Sequence, residues 1–173
     1  MNWYKFCPQC ATALEWLPRI EDGGATERLC CTGCGFTHWN NPTPVLAAVI
    51  ELEGRVLLAR NAAWANKMYA LITGFMEMGE SPQDGIRREI LEETALQTQA
   101  LNLIGVYEFK RMNQVIIAYH ADCTGEVRLS PELVDYKLFA PEEVRCWPAG
   151  TGYALADWLT SRGHTPQFMG ASA

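Results

Sequence analysis

No uninterrupted apolar run in this chain reaches the roughly 20 residues that a helix needs to cross a bilayer. Its start, MNWYKFCPQC, lacks the basic segment and long apolar core of a secretory signal. Both absences make the cytoplasm the expected compartment. Internal repeats and low-complexity tracts are also missing, so no repeat architecture is expected. Positive charge is in deficit: 14 Lys and Arg face 20 Asp and Glu, a net charge of −6. That balance excludes a general attraction for nucleic acid or anionic membrane, leaving only local patches to hold phosphate. What is present is ordinary for a soluble globular protein, 173 residues with a hydrophobic fraction of 49% and a charged fraction of 20%. Such a chain buries a substantial core and fits one main domain with a small appendage.

The appendage is read from cysteine spacing. CPQC, a segment of 20 residues and CTGC lie between Cys7 and Cys34. Each pair forms a turn that directs two thiolates inward, and two such turns supply a tetrahedral S4 site, so Cys7, Cys10, Cys31 and Cys34 are assigned to zinc. An iron–sulfur site or a redox pair is the alternative. Cys30 blurs the register, but Cys31 and Cys34 have the required spacing, and Gly33 and Gly35 loosen the knuckle. Four thiolates leave no open position, so the zinc is expected to be structural. Only Lys5, Arg19 and Arg28 are basic in this segment, which argues against nucleic-acid binding. Phe36–Pro44 reads as an aromatic exit and linker, with His38 and Trp39 placed either at a packed junction or against substrate. The expected division is 1–40 for ribbon and linker, 41–164 for the main domain and 165–173 for a loose tail.

Beyond the prolines, VLAAVIEL (Val45–Leu52) and RVLLAR (Arg55–Arg60) read as a hairpin turning at Glu53 and Gly54. Asn61–Lys67 is a loop containing Trp64, and Tyr69–Thr73 is a short strand. Gln97–Ala100 reads as a connection. LNLIGVYEF and QVIIAYHADC form a second pair with Lys110–Asn113 between them. Tyr136–Phe139 looks like an edge strand, and Gly150–Arg162 like a helix with Tyr153, Ala154, Leu155, Trp158 and Leu159 on its apolar side. Tyr107, Phe109 and Tyr119 either pack the sheet or line a pocket. Lys110 and Arg111 are placed to receive phosphate or ribose oxygens, or are plain surface charge.

The chemistry concentrates in GFMEMGESPQDGIRREILEETAL, Gly74–Leu96, where six of the 20 acidic residues fall between Glu77 and Glu93. Ser81 is placed to cap a helix, Pro82 fits its first turn, and Asp84 completes a capping-box-like arrangement. Ile86 and Ile90 define a buried side, while Glu89, Glu92 and Glu93 share the opposite face at i, i+3 and i+4. Three like charges this close call for a positive partner. Arg88 is one, and a hard divalent cation, Mg2+ or Mn2+, is the better one. A solvated acidic face is the plain alternative.

G, five residues, E, seven residues, REIxEE resembles the signature of Nudix hydrolases, with Gly74, Glu80, Arg88, Glu89, Ile90, Glu92, Glu93 and Leu96 at the signature positions. One position departs, Ala95, where the family usually has glycine. The resemblance covers about Pro44 to Arg162 and, with the ribbon in front, narrows toward the NADH pyrophosphatase-like branch. It implies an α/β fold, an α/β/α sandwich with a mixed sheet. It also implies that Glu89, Glu92 and Glu93 hold Mg2+ or Mn2+, with the Gly74 carbonyl as a further ligand. Glu80 and Arg88 would be a pair fixing loop to helix, and Glu93 the best candidate for a base. PELVDY resembles the place where this branch adds a carboxylate, nominating Glu132 first and Asp135 second. The family often pairs, which implies a homodimer.

The implied reaction is hydrolysis of the pyrophosphate bond in a nucleoside diphosphate linked to another group, of NADH, ADP-ribose or FAD type. The branch commonly carries a Ser-, Gln-, Pro- and Trp-rich segment after the motif, whereas this chain has GVYEFKRMN (Gly105–Asn113), so the substrate class stays broad. A nucleoside triphosphate or RNA cap is the alternative substrate, and a non-catalytic nucleotide-binding or zinc-ribbon adaptor is the alternative role.

Overall fold

The computed structural model describes residues 4–64 and 68–170, so residues 65–67 of the expected Asn61–Lys67 loop and the last three of the expected tail lie outside the described residues. The chain divides into two compact units, Met1–Asn41 and Pro42–Ala173.

The first unit is a three-stranded antiparallel sheet in the order β1 (Leu14–Glu21), β2 (Gly24–Cys31), β3 (Thr37–His38). The segment expected to be a linker therefore contributes a strand, because Leu29 and Cys30 pair with His38 and Thr37. Two knuckles close back on this sheet. In each, the residue after the second cysteine turns left-handed and donates its N–H to the first cysteine's carbonyl: Ala11 (φ 60°) to Cys7 and Gly35 (φ 77°) to Cys31. Glycine adopts that conformation freely and alanine only at a cost. Cys30 is buried beside the Thr37 hydroxyl, away from the knuckles.

The second unit is built on β4 (Thr43–Leu52), whose sequence has no solvent-facing side. Leu46, Ala48 and Ile50 point to one face and Val45, Ala47 and Val49 to the other, all buried. Alternation with both faces apolar is what a central strand between two layers requires. Glu53 (φ 52°) and Gly54 (φ 74°) make the turn into β5 (Arg55–Asn61). Then come β6 (Ile72–Phe75), α1 (Pro82–Thr94), β7 (Gln97–Phe109), a 3-10 turn at Lys110–Met112, β8 (Gln114–Thr124), β9 (Leu133–Phe139), β10 (Arg145–Cys146), α2 (Thr151–Ser161) and β11 (Gln167–Phe168).

The main sheet runs β7-β8-β4-β5-β9, with β6 also paired to β4. It is mixed: β4 and β8 are parallel over their whole length, and the other pairs are antiparallel. Ile86 and Ile90 of α1 pack on Leu46, Ile50 and Leu57, while Leu155, Trp158 and Leu159 of α2 pack on Val49, Val56 and Leu58 from the other side. This is the expected α/β/α sandwich. Two boundaries differ from the sequence reading. Gln97–Ala100 belongs to β7, because Gln97, Thr98 and Ala100 pair with Thr124, Cys123 and Asp122. The closing segment is not loose throughout, because β11 pairs with β10 at Arg145–Gln167 and Cys146–Phe168.

One edge of β4 is shared, and this is what makes room for a site. Ile50–Leu52 pair with β5, whereas Val45–Ala48 pair with β6. β5 therefore leaves β4 halfway along and meets the segment that leads into β6 at the isolated Ala59–Ala70 bridge. The sheet opens at the N-terminal end of β4, where the loop into α1 begins.

Candidate active site

β6 delivers Gly74 to the floor of that opening, and the loop GFMEMGE turns through Gly79 (φ 90°) into α1. Ser81 caps the helix by accepting from the Asp84 N–H, and its hydroxyl donates back to the Asp84 carboxylate at 2.7 Å. The Asp84 side chain thus closes on the capping hydroxyl rather than on the Ser81 backbone. At the far end Ala95 takes the left-handed conformation (φ 60°, ψ 10°) and donates to the Leu91 carbonyl. The turn that glycine usually makes is therefore present.

Arg88 fastens loop to helix. Its guanidinium donates to both Glu80 oxygens (3.1 and 3.0 Å), to Glu89 (2.8 Å), to Glu92 (3.1 Å) and to the Phe75 carbonyl (3.3 Å). Glu80 also accepts from the Glu77 N–H at 2.7 Å. The Arg88 hydrogen bonds, then the Glu77 amide, hold the Glu80 carboxyl below its ordinary range, and Glu80 first among its partners raises Arg88. Both stay charged at any working pH. Two glycines allow the close approach: a Cβ on Gly74 would overlap the Glu89 carboxylate, and one on Gly85 would overlap Glu80 and Leu46.

Glu77, Glu89, Glu93 and Glu132 line a cavity of about 400 Å³ together with Thr73, Gly74 and Gln114. Glu132 arrives from a loop bolted to the end of α1: Arg128 N–H donates to the Thr94 carbonyl and Ser130 N–H to that of Glu93. Asp135 turns elsewhere, accepting from the Tyr69 hydroxyl. Of the three carboxylates that reach Arg88, Glu80 from the loop and Glu89 and Glu92 from the helix, Glu92 is the most exposed, and it is held by that arginine rather than set among the cavity walls. The Glu93 carboxyl is pushed up to about 7, first by burial and then by the charges of Glu89, Glu132 and Glu92.

Val45, Thr73 and Gln114 are walls of both the acidic cavity and a larger neighbouring one of about 800 Å³. Trp64, Met68, Phe109, Arg111, Met112 and Trp147 are among its walls, and none of its described lining residues is acidic. Phe109 and Arg111 thus stand where a ligand would meet them, with the guanidinium 5.6 Å from the ring centre. Tyr107 and Tyr119 do not. Tyr107 donates to Asp157 at 2.7 Å beneath α2, and Tyr119 is buried in the core under α1. Lys110 pairs with Glu108 at the surface. No pattern in the sequence marks Trp64, Trp147, Glu77 or Gln114 as cavity walls, since each joins the site only through tertiary packing.

In the ribbon unit the four Sγ atoms of Cys7, Cys10, Cys31 and Cys34 lie within 4.8 Å of one another, with Cys7–Cys34 at 3.5 Å and Cys10–Cys31 at 3.4 Å. Four sulfurs at zinc-bond length stand about 3.8 Å apart in a tetrahedron, so the cluster fits a structural zinc site.

Residues 41–159 match the NUDIX domain family. The chain belongs to the Nudix hydrolases. Residues 5–40 match the Nudix N-terminal zinc ribbon. Among curated relatives, the Nudix chain is 26% identical over 163 residues to the NAD-capped RNA hydrolase NudC of Pseudomonas putida, covering 92% of this chain and 57% of that one. It is 29% identical over 144 residues to the protein of that name from Vibrio parahaemolyticus, covering 81% and 52%. It spans about half the length of these relatives. A NUDIX hydrolase structure from Nitrosomonas europaea superposes with a TM-score of 0.77 at 28% identity, covering 96% of this chain and 97% of that one. An ADP-ribose pyrophosphatase from Streptococcus suis shares the Nudix fold, with a TM-score of 0.59 at 18% identity over 75% of this chain and all of its own. Among the described residues no helix is long and apolar enough to cross a membrane.

Proposed function

We propose that this Nudix protein hydrolyses the pyrophosphate bond of a nucleoside diphosphate linked to another group, of NADH, ADP-ribose or FAD type, releasing a nucleoside monophosphate. One observation carries the reading: a carboxylate-lined cavity shares three of its walls with a larger, aromatic-walled one that has no acidic side chain among its described lining residues. The first suits a diphosphate bridged by cations, and the second suits the nucleoside attached to it.

Glu89, Glu93 and Glu132 are the carboxylates that would hold Mg2+ or Mn2+, with the Gly74 carbonyl beneath them and Glu92 at the rim with Arg88. Burial without a counter-charge, expressed in the raised Glu93 carboxyl, fits a site that expects a cation. Bound there, the ion supplies charge neutralisation of the diphosphate and a more acidic attacking water. Glu93 takes the water proton as the oxygen attacks phosphorus and the bridging P–O bond breaks. Glu80 and Arg88 act on neither substrate nor water; they fix the Gly74 loop against α1. Phe109 and Arg111 take the base or ribose. The zinc ribbon is structural, and the protein acts as a homodimer.

A second reading is favoured by the activity for which the relatives are named: the linked group is an RNA whose 5′ end carries NAD. The net charge of −6 gives such an RNA no general attraction, so its recognition would rest on the cap alone. Incubating the protein with ADP-ribose, NADH, FAD, dGTP and NAD-capped RNA in Mg2+ or Mn2+, with products identified by mass, tests both. Cleavage of the dinucleotides to monophosphates supports the first reading, and preference for capped RNA supports the second. Cleavage of dGTP alone overturns both.

A further inference from the structure

Among the described residues Trp64 is the one aromatic side chain that borders both the large cavity and a small cleft beside Glu93, which it lines with Asn61, Thr73 and Leu133. It is half-exposed, so its ring offers a face to a ligand. It stands on a compact turn rather than a loose loop: Ala63 N–H donates to the Asn61 side chain at 2.8 Å and Trp64 N–H to the Asn61 carbonyl at 3.3 Å. This turn is joined to the acidic site by one backbone bond. Ala62 N–H donates to the Glu132 carbonyl at 2.8 Å, just past the register shift where Asn61 pairs with Leu133. Glu132 in turn donates its own N–H to the Ser130 hydroxyl (3.3 Å), and Ser130 N–H donates to the Glu93 carbonyl (3.0 Å). Glu132 is therefore suspended between the Trp64 turn and the end of α1.

We propose that Trp64 is a substrate-binding residue that stacks on the base of the substrate, and that its turn couples base binding to the placement of Glu132 in the cation site. The inference rests on the reading of the two cavities as nucleoside and diphosphate sites. Stacking on an indole is tolerant of base identity, which suits a site that accepts several nucleosides. Coupling must be reciprocal: whatever factor the base adds to cation affinity, the cation adds to base affinity. Any phosphate ligand draws cations into the site through its own charge, so the signature of Trp64 is the part of that gain that a base-free ligand lacks.

The test is titration calorimetry on the full chain, measuring ADP-ribose and inorganic pyrophosphate binding across a range of Ca2+, in place of the ions that support hydrolysis, for the unsubstituted protein, Trp64→Ala and Trp64→Phe. Trp64→Ala is expected to weaken ADP-ribose about tenfold, to leave pyrophosphate unchanged, and to reduce the cation tightening given by ADP-ribose to that given by pyrophosphate. Trp64→Phe is expected to restore most of both. Equal loss for the two ligands, or no loss, overturns the proposal, and loss of ADP-ribose affinity with an unchanged cation requirement overturns the coupling. Binding is read without turnover, so absence of hydrolysis in the substrate panel would overturn the enzymatic reading while these outcomes still decide the role of Trp64.

Discussion

Glu93 and Ala95 lie two positions apart and show two different ways in which a residue departs from its ordinary behaviour. Glu93 is strained electrostatically, with burial and three nearby carboxylates pushing its carboxyl to about 7. A group with that pKa is half-ionised near neutrality, where a proton acceptor is most effective. Glu93→Gln keeps the shape and hydrogen-bonding reach and removes the charge, so hydrolysis is expected to fall by about 10³-fold. The same change relieves like-charge repulsion, so the melting temperature in chelator at pH 8 is expected to hold or rise. Loss of activity together with loss of folding would remove Glu93 from the chemistry. Ala95 is strained conformationally. It holds a left-handed backbone that costs a Cβ-bearing residue about 1–2 kcal/mol, part of which glycine gives back through its freer unfolded chain. Ala95→Gly is expected to stabilise the protein by about 1 kcal/mol in urea unfolding, with catalysis unchanged.

The Gly74–Leu96 loop and helix were the most legible element, and the reason is local. Capping, the Ile86–Ile90 face and the carboxylate spacing are all set by residues within one helix, so period and chemistry agree before any tertiary contact forms. Gly74 shows what that agreement protects, since a side chain there would drive the Glu89 carboxylate out of place. Gly74→Ala is expected to lower hydrolysis about 100-fold with the far-UV spectrum unchanged, because a displacement on the order of 1 Å at a reacting group costs that much. The zinc knuckles were legible for the same reason, as each is closed by a bond five residues long or shorter. One zinc per chain is expected by elemental analysis, and Cys34→Ser is expected to release it and expose the amides of β1 and β2 to hydrogen exchange. Exchange in α1 and β4 should stay slow. Glu132 was harder to read, because its place follows from Ser130 and Arg128 meeting the last carbonyls of α1, and backbone bonds of that kind leave no pattern in side-chain type. Tyr107 and Tyr119 illustrate the limit from the other side: one strand apart in sequence pattern, they differ only in which face of the sheet each meets.

At the scale of the catalytic unit, the decisive feature is the division of the β4 edge between β5 and β6, which opens the sheet and admits Trp64, Thr73 and Gln114 to the cavities. Strand periodicity predicts that β4 is buried on both faces and is silent on where a neighbour leaves it, so the cavity walls were the least legible part of the site. The opening also gathers carboxylates from α1 and from the loop before β9 with no lysine or arginine among the described walls of their cavity, Arg88 meeting Glu89 from outside it. Their repulsion is a property of the whole fold and is relieved by a proton or by a cation. Between about pH 4.5 and 7 the folded state holds the Glu93 proton more tightly than the unfolded chain does, so cation-free stability declines as pH rises through that window. A divalent ion competes with that proton, and its stabilising effect must grow over the same window. Melting scans from pH 5 to 8 in chelator and in 5–10 mM Mg2+, concentrations on the order of those that saturate weak carboxylate sites, are expected to diverge as pH rises. Glu132→Gln should narrow the gap and Asp135→Asn should leave it, since Asp135 is committed to Tyr69 outside the cavity. A gap that stays constant with pH would mean that the cation binds away from Glu93.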